Sequence, residues 1–299
     1  MLRQAAVVLG SVLVLTGCGG TPRPRATLTP VSAPRLSFGY DHSAGLGYED
    51  RGVVERSGPV EVHDVSFISE QERVAGYLVL RSGTTRRPGV VVVTGSGGDR
   101  RQLLPAAVAL ARRGLVALTI TEPSTAHPPP AASTPAGGLA EVRSLTVRDV
   151  VAVRRAADVL SSLPAVAQGP LGYLGWSAGA KTGTFVAASD RRFAALALLS
   201  AGAARLSAFV AAAPAPFRSL VRRQLGSVDP LRYIRFARPG TLRLEDGTRD
   251  EVVPHDALTN MVGAAPAGTT VHWYAAGHAL NDAAYRDATA WLDAKLRSR

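Results

Sequence analysis

The sequence predicts an α/β fold: a mostly parallel central sheet with an antiparallel N-terminal hairpin, helices on both faces and a small cap. Four near-continuous apolar runs are typical of strands buried on both faces of a parallel sheet, at about 89–94, 115–120, 171–174 and 193–199. Three helical segments separate these runs, at about 102–113, 142–163 and 178–188. Repeated strand–helix units of this kind predict parallel strands joined by crossover helices.

The remaining elements follow from local patterns. Apolar and polar side chains alternate at 60–68 and 74–80, and the polar segment between them predicts the turn of a hairpin. Later strands are expected at 240–244 and 270–274, before a closing helix at about 281–297. The segment between the fourth apolar run and residue 240 is too short for a large lid domain, so it predicts a cap of a helix or two.

The N-terminus predicts export. Residues 1–17 join a short positive start to an apolar segment, which is shorter than the roughly 20 residues that a membrane-spanning helix needs. Leu-Thr-Gly-Cys at 15–18 resembles the lipobox of bacterial lipoproteins, in which cleavage leaves the cysteine as an acylated N-terminus. We therefore expect a signal peptide at 1–17, lipidation of Cys18 and an extracytoplasmic, membrane-anchored location. Ordinary secretory cleavage with an incidental cysteine is the alternative.

Composition divides the rest of the chain into two parts. Residues 18–47 are rich in Pro, Thr, Ser, Gly and Ala without a sustained apolar period, which is typical of a flexible tether. Residues 48–299 contain no second linker of comparable length and fit one α/β domain. Cys18 is the only cysteine, so an intrachain disulfide is excluded.

The charge pattern does not indicate a nucleic-acid partner. The formal net charge is +11, but the arginines are scattered, often in pairs, and no compact basic run with interleaved aromatic residues occurs. Lys181 and Lys295 are the only lysines, and this preference for arginine indicates codon bias more than a binding patch. A basic surface still favours an anionic membrane or a cell-wall polymer.

Ser177 is the candidate nucleophile. It is the central residue of Gly-Trp-Ser-Ala-Gly at 175–179, between a predicted strand and a predicted helix. A serine in such a sharp turn has a strained backbone, and the glycines two positions away remove side chains that would collide there. Its hydroxyl is then exposed above the end of the sheet. A plain tight turn is the alternative.

The candidate acid and base follow later strands, where ligands bind in sheets of this type. The segment 245–251 contains four carboxylates, and Asp250 is favoured because it lies past a turn glycine and just before Val-Val-Pro. His278 is the one histidine just past the end of a predicted central strand. The other five fall in the tether, inside strands, in a proline-rich loop and at a helix start: His42, His63, His272, His127 and His255. Nucleophile, acid and base thus occur in the order Ser177, Asp250, His278.

A glycine-rich loop, Thr-Gly-Ser-Gly-Gly at 94–98, follows the first long apolar strand. Glycines let backbone N–H groups approach a bound oxygen closely, as an oxyanion hole requires. A plain turn is one alternative, and a phosphate-binding loop is excluded because no Gly-Lys-Ser/Thr follows at the required spacing. No residue cluster has metal-ligand spacing, and we expect neither a metal nor a cofactor.

The order and placement of these residues resemble the α/β-hydrolase superfamily from about residue 60 to the C-terminus. The dienelactone-hydrolase-like and serine-esterase branches are most similar, because their Gly-x-x-Asp-x-x-Val-Pro and late Gly-His are matched at 247–254 and 277–278. Two positions depart from the family. Dienelactone hydrolases have a cysteine where this chain has Ser177, so their substrates are not implied. The usual His-Gly before the oxyanion loop is Thr-Gly at 94–95.

The resemblance implies a serine hydrolase that forms an acyl-enzyme. Ser177 attacks an acyl carbonyl, His278 takes its proton, and Asp250 orients the imidazole. The substrate is expected to be a small-molecule or surface-polymer acyl ester.

The resemblance also implies that the backbone N–H groups of Ala178 and Ser96 bind the oxyanion, with Gly97 as the alternative second donor. Two other functions remain open. One is an acyl-CoA thioesterase or acyltransferase with the same triad, suggested by the glycine-rich loop, although export counts against a coenzyme A substrate. The other is a non-catalytic surface-binding lipoprotein.

Overall fold

A computed structural model describes residues 38–83, 85–128, 132 and 134–298. The expected signal peptide at 1–17, Cys18 and the first part of the expected tether lie outside the described residues. Within them, nine strands form one sheet. The strands are β1 (Glu49–Ser57), β2 (Val60–Ser69), β3 (Glu72–Arg81), β4 (Gly89–Val93), β5 (Val116–Ile120), β6 (Leu171–Trp176), β7 (Phe193–Leu199), β8 (Leu242–Gly247) and β9 (Thr270–Tyr274).

The sheet changes from antiparallel to parallel across its width. Its order is β1-β2-β3-β5-β4-β6-β7-β8-β9, with antiparallel pairs up to β5 and parallel pairs from β5 to β9. Strands β4, β5 and β7 are buried at every position, as their apolar runs predict. The predicted fold class is confirmed. Because the parallel strands end at one edge, the loops that follow them meet there.

Helices cover both faces of the sheet. Those in the described residues are α1 (Leu104–Arg112), α2 (Pro123–Ala126), α3 (Pro135–Ser162), α4 (Ala178–Ser189), α5 (Leu206–Ala212), α6 (Arg218–Ser227), α7 (Pro230–Tyr233), α8 (His255–Ala264) and α9 (Asp282–Arg297). Helices α1 and α9 pack on one face. Helices α3, α4 and α8 pack on the other, together with α7.

Three elements differ most from the sequence prediction. Strand β8 ends at Gly247 instead of residue 244, because Glu245 and Asp246, which were expected in the loop after it, pair with His272 and Trp273 of β9. Helix α3 begins at Pro135 instead of about 142, because the Thr134 side chain accepts a hydrogen bond from the Gly137 N–H at 3.1 Å and caps the helix. Strand β1 was not predicted, since its residues are mostly charged and exposed, without an apolar period. It forms the edge of the sheet by pairing with β2, where charged side chains are well tolerated.

Residues 38–47 pack against the domain, although their composition suggested a tether up to residue 47. The Phe38 side chain is 2% exposed and contacts the rings of Phe185 on α4 and Tyr233 on α7, at centroid distances of 5.8 and 5.5 Å. The Tyr40 hydroxyl donates a hydrogen bond to Asp158 on α3 at 2.8 Å. The chain therefore enters the folded domain about ten residues before the boundary that composition suggested.

The cap follows β7 and is small, as expected. It consists of α5, a short 3-10 turn (Ala215–Phe217), α6, α7 and a second 3-10 turn (Ile234–Phe236). Among the described residues, no helix is both long and apolar enough to cross a membrane.

Candidate active site

Ser177 occupies the turn between β6 and α4. Its backbone has φ 56° and ψ −114°, a conformation that residues other than glycine rarely adopt. Backbone hydrogen bonds to both neighbouring strands hold the turn. The Ser177 N–H donates to the Leu199 carbonyl at 2.9 Å, and the Gly179 N–H donates to the Thr94 carbonyl at 3.0 Å.

The glycines two residues before and two residues after Ser177 are required because backbone atoms lie very close to them. A Cβ atom on Gly179 would lie 2.5 Å from the Val93 carbonyl oxygen, and one on Gly175 would lie 2.6 Å from the Gly179 carbonyl oxygen. Neither distance is possible for a carbon atom next to backbone oxygen. The small residues of the motif therefore let α4 begin directly against the end of β4.

His278 lies in the loop between β9 and α9 and reaches Ser177. Its Nε2 is 2.9 Å from the Ser177 Oγ. The backbone carbonyl of His278 accepts two hydrogen bonds, one from the Trp176 Nε1 and one from the Ser200 hydroxyl, both at 2.9 Å. The indole of Trp176 also packs against the imidazole, with ring centroids 5.1 Å apart. Residues beside Ser177 and after β7 thus hold the histidine loop in place.

Asp250 follows β8 and completes the set. Its Oδ2 lies 2.9 Å from the His278 Nδ1, and its Oδ1 accepts the backbone N–H groups of Val252 and Val253 at 2.9 and 2.8 Å. A carboxylate only accepts hydrogen bonds, so Nδ1 carries the imidazole proton and Nε2 is free to accept from the Ser177 hydroxyl. The Asp250 side chain is almost completely buried.

The loops that carry Asp250 and His278 pack directly on each other. The Arg249 N–H donates to the Ala276 carbonyl at 3.0 Å. A Cβ atom on Gly247 would lie 2.5 Å from that carbonyl oxygen. The glycine of the Gly-x-x-Asp motif is therefore needed for the two loops to meet.

The other histidines lie apart from this group. His63 on β2 pairs with Asp50 on β1. His42, which precedes β1, packs on the ring of Tyr40. His127 is exposed at the end of α2, His255 packs on Trp273, and His272 on β9 stacks with Tyr274. The structure therefore brings together Ser177, Asp250 and His278, the three residues that the sequence selected.

The glycine-rich loop at 94–98 lies against the turn that carries Ser177. A Cβ atom on Gly95 would be 3.1 Å from the Ser177 Cβ, so the backbone that leads into Ser96 passes directly beside the serine. Within the described residues, the N–H groups of Ser96, Gly97 and Ala178 donate no hydrogen bonds. The same loop lines an open depression of about 510 Å³, whose other lining residues are Asp99, Arg101 and Gln102.

The sequence did not identify two residues that support the site. Trp176 and Ser200 anchor the His278 carbonyl, and both act through contacts between segments far apart in the chain. Trp176 is the variable position of the nucleophile motif, and Ser200 is a serine directly after a strand, so neither has a sequence feature that reveals its role. The positive φ of Ser200, 52°, becomes visible only in the structure.

Asp246 is a buried carboxyl group close to Asp250. It is completely inaccessible to solvent, and its oxygens have no hydrogen-bonding partner of normal geometry in the described part of the chain. Burial raises the pKa of Asp246 to about 7 against a smaller lowering by the Ala201 backbone, and the nearby charges of Asp250 and Glu245 add to the rise.

Burial also raises the pKa of Glu245 to about 7, although this carboxylate forms a buried ion pair with Arg243. The four carboxylates of 245–251 thus have separate environments. Glu245 pairs with arginine, Asp246 is isolated, Asp250 binds the imidazole and Glu251 is exposed beside Gly277.

Replacing Asp246 by Asn is expected to stabilise the protein above neutral pH. An unfolded carboxyl titrates near pKa 3.8, whereas the folded pKa is about 7, so only the folded chain holds this proton between those values. The wild type therefore loses free energy of unfolding as pH rises through this window, by roughly 3 kcal/mol between pH 5 and pH 8, and Asp246→Asn does not. Urea unfolding at both pH values measures this difference. Parallel pH dependence in the two proteins would contradict the assignment.

Solved structures of esterases have the same fold. The chain is similar to an acetyl xylan esterase from Paenibacillus sp. R4, with 18% identity, a TM-score of 0.69 and coverage of 85% of this chain and 90% of that one. For acetyl xylan esterase 1 from Thermoanaerobacterium sp. JW/SL YS485, identity is 13%, the TM-score is 0.65 and coverage is 84% and 89%. For a cold-adapted esterase from an Arctic intertidal metagenomic library, identity is 18%, the TM-score is 0.63, and coverage is 85% of this chain and 100% of that one.

No protein-family model matches the sequence, and no curated protein matches it either. The structural likeness covers the described domain almost entirely, but the low identity limits what it shows to the fold. The chain therefore has the α/β-hydrolase fold.

Proposed function

We propose that this protein is a serine esterase that hydrolyses carboxylic esters through an acyl-enzyme. The observation that carries the proposal is the continuous hydrogen-bonded series from Ser177 Oγ through the His278 imidazole to Asp250, with both distances 2.9 Å. This is the arrangement that lets a serine hydroxyl lose its proton as it attacks a carbonyl. Esterases among the solved structures with this fold support the same chemistry.

The reaction has two steps. In the first, Ser177 Oγ attacks the acyl carbonyl, its proton moves to His278 Nε2, and this proton then passes to the departing alcohol. In the second, His278 takes a proton from water as the water attacks the acyl carbonyl, and this proton then passes to Ser177 Oγ as its bond to the acyl group breaks and the acid leaves. Asp250 stabilises the imidazolium in both steps through its hydrogen bond to Nδ1.

The oxyanion of each tetrahedral intermediate is bound by backbone N–H groups in this proposal. Ala178 supplies one because it begins α4, where the N–H groups have no partner within the helix. Ser96 supplies the second because its backbone follows Gly95, which packs against Ser177. Gly97 is the alternative second donor. Such a donor contributes about 2.7–4 kcal/mol to transition-state stability in enzymes of this type.

The small cap and the open depression beside the glycine-rich loop favour acyl esters of modest size, including esters on a surface polymer. The names of two structurally similar proteins, both acetyl xylan esterases, agree with a short acyl group. No metal or cofactor takes part in the proposed steps.

Variants of the triad test this proposal. Ser177→Ala is expected to lower kcat for p-nitrophenyl acetate by about 10⁶-fold and Asp250→Asn by about 10⁴-fold, since each removes a group that acts in the transition state. Ser177→Ala also abolishes labelling by a fluorophosphonate probe. His127→Ala and Ser144→Ala are matched controls, because both residues are exposed outside the site, and both retain full activity.

The same assay separates the alternative functions. A folded wild type that neither labels nor turns over any ester contradicts the esterase proposal and favours a binding protein. Labelling with preferential transfer to an added alcohol instead of water favours an acyltransferase. Faster turnover of thioesters than of oxygen esters favours a thioesterase.

We also propose that the protein is exported and acylated at Cys18. The support is the sequence itself, an apolar segment followed by Leu-Thr-Gly-Cys. In a bacterial host, Cys18→Ser is expected to remove the lipid mass from the N-terminal peptide and to release the protein from membranes that are washed at high salt. Esterase activity stays the same, because Cys18 precedes the domain. A wild-type N-terminal peptide without lipid mass would contradict lipid anchoring.

A further inference from the structure

The cap exposes large apolar side chains to solvent. Phe209 on α5 and Phe217 in the 3-10 turn are each 39% exposed. The alanine and proline residues between them, at 211–216, are exposed too, apart from the half-buried Ala213. An exposed apolar segment with two phenylalanines is uncommon on a surface that faces only water.

The charged side chains around this segment are all positive. Between Asp190 and Asp229 the sequence has no carboxylate. Residues 204–223 contain four exposed arginines, which are Arg205, Arg218, Arg222 and Arg223. None of them pairs with a carboxylate within the described residues. Arg205 and Arg218 bond only to neutral oxygens, at Asn260 and Ala213. This surface is therefore complementary to an anionic partner.

Helix α6 shows how these residues are arranged. Val221 faces the protein and is buried, whereas Arg222 and Arg223 are exposed on the other side. Long arginine side chains can keep their charge in water or among lipid headgroups while apolar neighbours enter the interface. Phenylalanine next to arginine is typical of segments that lie in the surface of a bilayer.

The N-terminal segment packs against α7, which follows α6 in the cap. Phe38, the first described residue, packs against Tyr233 in the cap, on the sheet face that the cap covers. The 19 residues between Cys18 and Phe38 reach at most about 65 Å when extended. If Cys18 is acylated as proposed, that length lets the cap contact the membrane that holds the anchor.

We infer that residues 204–223 of the cap form a docking surface for an anionic phospholipid bilayer. Phe209 and Phe217 enter the interface, and the arginines of the cap contact lipid phosphates. The cap begins only a few residues after Ser200, which binds the His278 loop. Docking through the cap therefore places the edge of the sheet that holds Ser177 near the membrane surface. This consequence for the enzyme rests on the proposed function, whereas lipid binding itself does not.

Vesicle sedimentation tests the inference. Every protein carries Cys18→Ser, so that no acyl chain contributes and all share one N-terminus. Binding is measured to vesicles of phosphatidylcholine with increasing phosphatidylglycerol. The parent is expected to bind more strongly as phosphatidylglycerol increases and more weakly at high salt. Phe209→Ser/Phe217→Ser lowers the partition coefficient about tenfold or more.

Two further variants separate the contributions. Arg218→Gln/Arg222→Gln/Arg223→Gln lowers the partition coefficient about tenfold or more on phosphatidylglycerol vesicles and leaves binding to pure phosphatidylcholine unchanged. Val54→Ser is the control, because Val54 is 57% exposed on β1, far from the cap in the sheet order, and binding stays at the parent value. Equal melting temperatures and equal turnover of soluble p-nitrophenyl acetate establish that the cap variants are folded.

Three results overturn the inference. One is a parent that does not bind phosphatidylglycerol vesicles, and another is binding that the phenylalanine variant leaves unchanged. The third is a dimer of the parent that dissociates in the phenylalanine variant without any vesicle binding, which assigns the surface to a second copy of the chain. Because turnover of the soluble ester is measured in the same proteins, each result leaves the esterase proposal separately testable.

Discussion

The left-handed backbone of Ser177 is the constraint on which the site depends. A non-glycine residue in such a conformation costs about 1–3 kcal/mol, so it persists only where its surroundings impose it. Here the two strands that flank β6 impose it. The Ser177 N–H bonds to the end of β7, and the Gly179 N–H bonds to the residue after β4. The strand order β4-β6-β7 is therefore a direct requirement of the serine's position.

The histidine is held by the same part of the molecule. Trp176 precedes Ser177 in the chain, and Ser200 follows β7, the strand whose last carbonyl binds the Ser177 N–H. Both donate to the carbonyl of His278. The position of the imidazole relative to the Ser177 hydroxyl is thus set by two side chains at the carboxyl ends of adjacent strands, Trp176 on β6 and Ser200 after β7. A site built in this way needs little movement of the protein during the reaction.

Sequence reasoning succeeded where a physical pattern is local. Buried parallel strands require continuous apolar runs, and β7 and β9 have the bounds that their sequences predict. The sequence also selected three residues at the strand ends, from the turn glycines and the order along the chain, and these residues lie together in the structure. The distances of 2.9 Å between them are a property of the structure alone.

The features that sequence reasoning missed depend on distant contacts. Strand β1 is charged and exists because β2 offers an unpaired edge. The segment 38–47 has the composition of a tether, yet one buried aromatic, Phe38, fixes its start against α4 and α7. Asp246 is one of four carboxylates in the segment 245–251, and the sequence does not show that it is the buried one without a charged or hydrogen-bonding partner. In each case the neighbour that decides the outcome is far away in the chain.

The central claim is that Ser177 becomes covalently acylated during turnover. Rapid acid quenching of the enzyme with p-nitrophenyl acetate, followed by peptide mass spectrometry, tests it most directly. We expect one added acetyl group on the peptide that contains Ser177, formed before steady-state turnover and absent from Ser177→Ala. An active enzyme that carries no acetyl group, or carries it on another residue, would contradict acylation of Ser177.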